Sequence, residues 1–349
     1  MPLARRFNQL MPAKPRILLV GAGAVGTTLA AYLTAAGQRV DLLIRERDRL
    51  RFASVPFLTV DRIAGGPALV VHKPELLTKP DLSGVAYVFL CVKHAALDQV
   101  LLQLPSTLPL GITLVSTLNG VSALASLRQR YPAAQVVNMT VMFNAQVLSP
   151  LHAQITTKAQ IVIASTDSRL LGLFDHSGMA VKHTRGEAVA WGKLLLNLAN
   201  AVCALTHTTA KDLLSVADLR AVYAAILDEA VAVIERAGVS YELPMPLPYK
   251  LFRLIILHGG PLPWWIAKLR NGLQRGSYPS MVADIEAGRT TEVRQLNGEI
   301  VSLGKAHSLP TPVNARIVEL VQAIEGILPP RYMSPSELRA QLQPYIALH

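Results

Sequence analysis

Arg16-Ile-Leu-Leu-Val20 runs directly into Gly21-Ala22-Gly23-Ala24-Val25-Gly26, and the reading of this junction decides the fold. An apolar run enters G-x-G-x-x-G, a helix-like stretch follows to Ala36, Gly37 turns the chain, and a second apolar run spans Val40 to Ile44. That order is strand, tight turn, helix, strand, packed into the roughly 30 residues of a βαβ unit. In that context the three glycines do different things. Gly21 permits the sharp turn, Gly23 lets the backbone approach a pyrophosphate, and Gly26 lets the helix pack on the strand. Free N–H groups at the helix start, around Ala22, Ala24 and Val25, then face the phosphates. A Gly-rich turn without a ligand is the plain alternative, and the complete βαβ setting speaks against it.

The end of the second strand bears on which dinucleotide is bound. A ribose 2′-hydroxyl usually meets an acidic residue there, and a 2′-phosphate usually meets an arginine. The chain reads Leu43-Ile44-Arg45-Glu46-Arg47. The guanidinium of Arg45 suits a phosphate dianion. Glu46 could serve a hydroxyl instead, and two solvated surface arginines are always available as an explanation. The expectation is NADP(H).

The composition sets the frame. At 349 residues the length allows two domains, and 51% hydrophobic with 16% charged residues describes an ordered chain with sizeable cores. The net charge of +11 comes from scattered residues rather than a Lys/Arg run with interleaved aromatics. An anionic cofactor and a small anionic substrate account for such a field, and no nucleic-acid partner is expected. Cys91 and Cys203 lie in apolar stretches and form no C-x-x-C, which fits a reducing, cytoplasmic setting. No metal is expected. Arg5, Arg6 and Lys14 precede the apolar stretch Ile17 to Leu33 in the manner of a signal peptide, but the glycine motif lies inside it, so it reads as core strand and helix. Residues 1–14 read as a loose extension. No uninterrupted apolar run of roughly 18 residues occurs elsewhere, so no membrane span is expected.

Strand candidates continue at Ala68 to His72, Tyr87 to Val92, Ile112 to Ser116, Val136 to Phe143 and Gln160 to Ala164, with a helix from about Ala123 to Gln129. The fully apolar Tyr87 run suits a strand buried on both faces. From about Gly186 strand-like runs give way to helical stretches at 188–206, 217–237, 279–303 and 312–326. The expected organisation is an α/β dinucleotide-binding domain over 15–185 and an all-α domain over 186–330. Between 242 and 265 lie Pro244, Pro246, Pro248, Pro261 and Pro263 with Trp264-Trp265, which read as an irregular connection around the apolar run Leu251 to Leu257.

In open α/β sheets ligands sit beyond the carboxyl ends of the strands. Lys93 and Asn119-Gly120 stand there, each following a strand. Singly, each is also an ordinary strand-end lysine or turn. Between Val189 and Thr206 the main polar side chains are Lys193, Asn197 and Asn200, which share one helix face at about 100° per residue. A lysine in an apolar helix needs a partner or a wet cleft, and partial burial lowers its pKa toward the working range of a general acid. Ser280 and Asp284 share a face further on, while Glu292 aligns with them only if the chain bends near Gly288.

The series GAGAVG, Arg45, Cys91-Val-Lys93, Leu118-Asn119-Gly120, Trp191-Gly-Lys193-Leu-Leu-Leu-Asn197, Ser280-Met with Asp284, and Thr291-Glu292 with Asn297-Gly298 resembles the ketopantoate reductases, from about Arg16 to Leu328. The resemblance implies a Rossmann-type domain followed by a helical domain like the C-terminal part of 6-phosphogluconate dehydrogenase. It also implies reduction of 2-dehydropantoate to (R)-pantoate by NADPH, in the pantothenate branch toward coenzyme A. By that resemblance Lys193 is the proton donor. Gly21, Ala22, Gly23, Ala24, Val25, Gly26, Arg45, Lys93, Asn119, Ala145 and Glu292 hold NADPH, and Asn119, Asn197 and Ser280 hold the substrate, with Asn200 as a further candidate. A homodimer is expected by analogy. The sequence departs from the pattern at Ala201, where the family carries a second asparagine; Asn200 comes one residue early, and Ala201-Val-Cys-Ala-Leu replaces Asn-Pro-Leu-Thr-Ala. A related reductase of another 2-keto acid, a 3-hydroxyacid dehydrogenase, and a silent NADP(H)-binding sensor are the alternatives.

Overall fold

The computed structural model describes residues 14–63, 66–245, 247–259 and 278–346. The loose extension, Pro246, Pro261, Pro263 and the Trp264-Trp265 pair lie outside the described residues, apart from Lys14, whose Nζ donates to Gly37 O at 2.8 Å.

The strands are β1 (Arg16–Val20), β2 (Arg39–Leu43), β3 (Phe57–Arg62), β4 (Leu69–His72), β5 (Glu75–Leu77), β6 (Val85–Leu90), β7 (Thr113–Ser116), β8 (Gln135–Val141), β9 (Ala145–Ser149), β10 (His152–Ile155), β11 (Gln160–Ile163) and β12 (Ala180–His183). Eight of them form one sheet in the order β12-β11-β8-β7-β6-β1-β2-β5. Every neighbouring pair is parallel except β8 with β11. All of β1 is buried, as its unbroken apolar run requires in a sheet covered on both faces. The one polar member, Arg16, stays inside by pairing with the buried Asp41 of β2 and with Asp81 at 2.8 Å.

One face of this sheet packs on the helix Ala24–Ala35, which is sandwiched against a second, four-stranded sheet in the order β4-β3-β10-β9. The other face is covered by the helices His94–Gln103 and Ser122–Arg130. The parallel order places the ends of β1, β6 and β7 along one edge. Gly21, Lys93 and Asn119 follow those three strand ends.

Past β12 the chain is helical: Ala188–Asn197, Ala199–Thr206, Ala210–Ser215, Ala217–Arg236, Tyr249–His258, Ser280–Glu286, Asn297–Ala306, Pro312–Gln322 and Pro335–Ile346. These share a separate core around Leu195, Leu198, Val202 and Ile226. Inside it Glu229 caps the helix Pro312–Gln322, accepting from Val313 N and Asn314 N, both at 2.8 Å.

Three expectations are corrected. The helix expected over 279–303 is two helices, because the chain takes a left-handed turn at Gly288, φ +61°, before a short 3₁₀ turn at Val293–Gln295. The run Leu251 to Leu257, expected inside an irregular connection, belongs to the helix Tyr249–His258, started after Pro248. The helical stretch expected over 188–206 is two helices, Ala188–Asn197 and Ala199–Thr206; the stretch as a whole is long and apolar enough to cross a membrane by length and composition, yet Lys193, Asn197 and Asn200 interrupt it. It is largely buried within the helical core, where an apolar helix needs no lipid.

Candidate active site

The glycine motif has the geometry its sequence demands. Gly21 has φ +102°, a left-handed conformation that favours glycine, and a Cβ there would meet Cys91 O at 2.8 Å. A Cβ at Gly26 would lie 1.8 Å from Gly21 O, so only glycine brings helix and turn this close. Gly23 is different: a Cβ there would meet nothing within 4 Å. The space over the helix start is open, as a pyrophosphate seat requires. Arg45 follows Ile44 at the rim, largely exposed, with Nε 2.7 Å from Asp48 Oδ2, and Glu46 and Arg47 are exposed beside it. These residues fit a dinucleotide.

At the junction of the two regions three predicted residues meet. Lys193, on the helix Ala188–Asn197, donates to Asn119 Oδ1 at 3.1 Å and to the main-chain oxygen of Val141 at the end of β8. Asn119 Nδ2 donates to Glu292 Oε2 at 2.9 Å. One amide therefore spans an ammonium and a carboxylate, and its orientation follows from what each can donate or accept. Burial pushes the Lys193 ammonium down from 10.5 to about 8, against the opposing pull of Glu292. Local constraints hold the parts in place. Gly192 is pressed so close to Glu242 O that a Cβ would sit 1.8 Å from it. Gly120, at φ +76°, lets the loop after β7 touch Gln295 O, where a Cβ would lie at 2.4 Å.

A small cavity opens at this point, lined among others by Leu118, Asn119, Asn138, Thr140, Val141 and Lys193. Asn138 and Thr140 are buried, and Asn138 Nδ2 donates to Thr140 Oγ1 at 3.0 Å. Sequence reading missed both, although two polar residues at alternate positions of an apolar strand mark one face as polar.

Lys93 stands beside the junction and grips Asp284, with Nζ 2.7 Å from both carboxylate oxygens. Asp284 is buried and also takes Arg289 at 2.9 Å. The pair Lys93–Asp284 thus links the sheet domain to the helical region, a role that spacing alone did not suggest. Asn197 and Asn200 are half-buried and Ser280 is exposed at its helix start, and no side-chain hydrogen bond engages any of the three among the described residues. Ala145 opens β9 in the smaller sheet, paired with Ile155. Ala201 is fully buried in the helical core. The thiols of Cys91 and Cys203 are pushed up to about 12 by burial, so neither offers a thiolate at neutral pH.

A dinucleotide-type sheet followed by a helical region, with a pKa-lowered lysine where they meet, fits an oxidoreductase of the nicotinamide-dinucleotide-dependent class. The family models agree: the ketopantoate reductase PanE/ApbA model matches residues 17–168, and its C-terminal counterpart matches residues 187–325. The chain belongs to the ketopantoate reductase PanE/ApbA family. It is 28% identical over 313 residues to the 2-dehydropantoate 2-reductase of Caulobacter vibrioides, covering 88% of this chain and 98% of that protein. The PanE/ApbA family ketopantoate reductase of Ralstonia eutropha superposes with a TM-score of 0.74 at 25% identity, covering 89% of this chain and 98% of that one. A D-mandelate dehydrogenase in ternary complex with NADH and anilino(oxo)acetate has the same fold, with a TM-score of 0.72 at 18% identity over 89% of this chain and 98% of that chain.

Proposed function

We propose that this chain reduces 2-dehydropantoate to (R)-pantoate with NADPH, in the pantothenate branch toward coenzyme A and in the cytoplasm. The observation that carries the reading is the contact of Lys193, Asn119 and Glu292 at the carboxyl edge of a dinucleotide-type sheet. The seat offered for the cofactor runs from Gly21 through Ala22, Gly23, Ala24 and Val25 to Gly26, with Arg45 at the 2′-phosphate and Lys93, Asn119, Ala145 and Glu292 toward the nicotinamide half. When bound, NADPH supplies the hydride that reduces the ketone carbon.

The chain's own residues do the rest. Lys193 holds a proton on Nζ and gives it to the carbonyl oxygen as negative charge gathers there. A lysine poised near 8 gives up that proton more readily than one at its ordinary value. Asn119 fixes the lysine, and Glu292 fixes Asn119 in turn. Asn197, Asn200 and Ser280 orient the keto acid through side chains that make no hydrogen bond among the described residues. In this reading the chain divides near residue 185 into a cofactor domain and a helical substrate domain, the latter serving a homodimer.

Reduction of a different 2-keto acid is the second reading. It is favoured by the burial of Ala201 in the helical core, which leaves the substrate side without the second asparagine. Oxidation of NADPH and NADH by a panel of 2-keto acids tests both readings. Turnover with 2-dehydropantoate and NADPH supports the first, and turnover with another keto acid alone supports the second.

A further inference from the structure

His94 lies between the two loops that carry Lys93 and Asn119, and the proposed chemistry assigns it no role. It begins the helix His94–Gln103, directly after Lys93. Its Nε2 lies 2.6 Å from the main-chain oxygen of Asn119. A carbonyl oxygen only accepts, so Nε2 carries the proton and donates.

The loop after β7 is otherwise pinned at its two sides. Thr117 donates through N and Oγ1 to Leu90 O, at 3.2 and 2.9 Å. Gly120 rests against Gln295 O. Between these points the His94 bond holds the Asn119 carbonyl, and so restrains the main chain from which the side-chain amide reaches Lys193 and Glu292. Glu299 lies near Ser122 and His94, and Lys93 precedes His94 in the chain.

We propose that His94 is the positioning residue for Asn119: its Nε2–H clamps the Asn119 carbonyl so that the side-chain amide spans Lys193 and Glu292. The inference rests on the proposed role of that trio, and the clamp itself is a separate structural claim.

The test uses three variants of the full chain: His94→Ala, His94→Gln and His94→Asn. A glutamine amide nitrogen reaches the position of imidazole Nε2, whereas that of asparagine stops near Nδ1. Two readouts are taken, steady-state kinetics with NADPH and the preferred keto acid, and amide hydrogen exchange at residues 119–121 without cofactor. Loss of one well-placed hydrogen bond predicts that His94→Ala and His94→Asn lower kcat by about tenfold and leave the KM for NADPH within about twofold. Exchange at 119–121 accelerates in the same two variants, and His94→Gln restores both readouts. The inference is overturned if all three match the wild type, or if His94→Gln is as impaired as His94→Ala. A wild-type protein that turns over no keto acid defeats the proposed function instead, and the exchange data then decide the clamp alone.

Discussion

Asn119 and Lys193 stand 74 positions apart, one after a strand of the sheet and the other on the first helix beyond it, and their side chains meet at 3.1 Å. The contact joins the part of the chain built to hold a dinucleotide to the part that carries the candidate proton donor. It also explains why a lysine is tolerated in a helix otherwise fit for a core. The ammonium faces a cleft with an amide and a main-chain oxygen as partners, so burial weakens its hold on the proton without leaving it unpaired.

Lys193→Met separates function from stability. Without the donor, kcat falls by roughly a hundredfold to ten-thousandfold, the span expected of general acid catalysis. The folded protein does not lose stability at pH 7, because burial disfavours the charge that is removed. Thermal melting beside steady-state assays checks this. A variant that keeps its activity, or one that unfolds, contradicts it.

The pH dependences of activity and stability run in opposite directions. Lys193 is pushed down from 10.5 to about 8 in the fold, so between those values the unfolded chain binds the extra proton and stability rises with pH. Keto-acid reduction needs the protonated lysine, so its rate falls as pH rises through about 8. Denaturant titrations and rate profiles between pH 6 and 10 on the wild type and Lys193→Met, roughly the window set by the shift, reveal whether both slopes vanish together.

Gly23→Ala tests the cofactor seat without disturbing the fold. Its φ of −75° suits any residue, and a Cβ would meet nothing within 4 Å. The variant melts as the wild type does, while its NADPH affinity drops by about tenfold or more, because the methyl occupies the approach of the pyrophosphate. Fluorescence titration with NADPH measures it. Unchanged affinity would place the phosphates elsewhere.

Asp41→Ala removes the buried partner of Arg16 between β1 and β2. Arg16 keeps Asp81 and Ser83 O, both at 2.8 Å, so the cost is about 3 kcal/mol, at the low end for breaking a buried pair. Equilibrium urea unfolding should show a lower midpoint with an unchanged slope. A loss under about 1 kcal/mol would mean that the pair behaves like an exposed one.

Much of the sheet was legible because strands buried on both faces, such as β1 and β6, are unbroken apolar runs. The smaller sheet was not, apart from β4. Its strands β3, β9 and β10 are short and mix apolar with polar side chains, since one face covers the helix Ala24–Ala35 and the other meets solvent. The edge strands β5 and β12, of three and four residues, are too short to carry a period. Lys193, Asn197 and Asn200 stood out as polar positions in an apolar helical stretch, although the stretch proves to be two helices that meet at Leu198. The meeting of Lys193 with Asn119 and Glu292 was not readable, because contacts across 74 and 173 positions leave no local trace. Glu292 in particular depends on the turn at Gly288, which a straight helix over 279–303 would have forbidden.

The most direct measurement is the oxidation of NADPH by 2-dehydropantoate, followed by absorbance, with the wild type beside Lys193→Ala. Turnover by the wild type that collapses in a folded Lys193→Ala protein is the predicted result. Turnover that survives in Lys193→Ala contradicts the central claim, as does a wild-type protein that binds NADPH and reduces no keto acid.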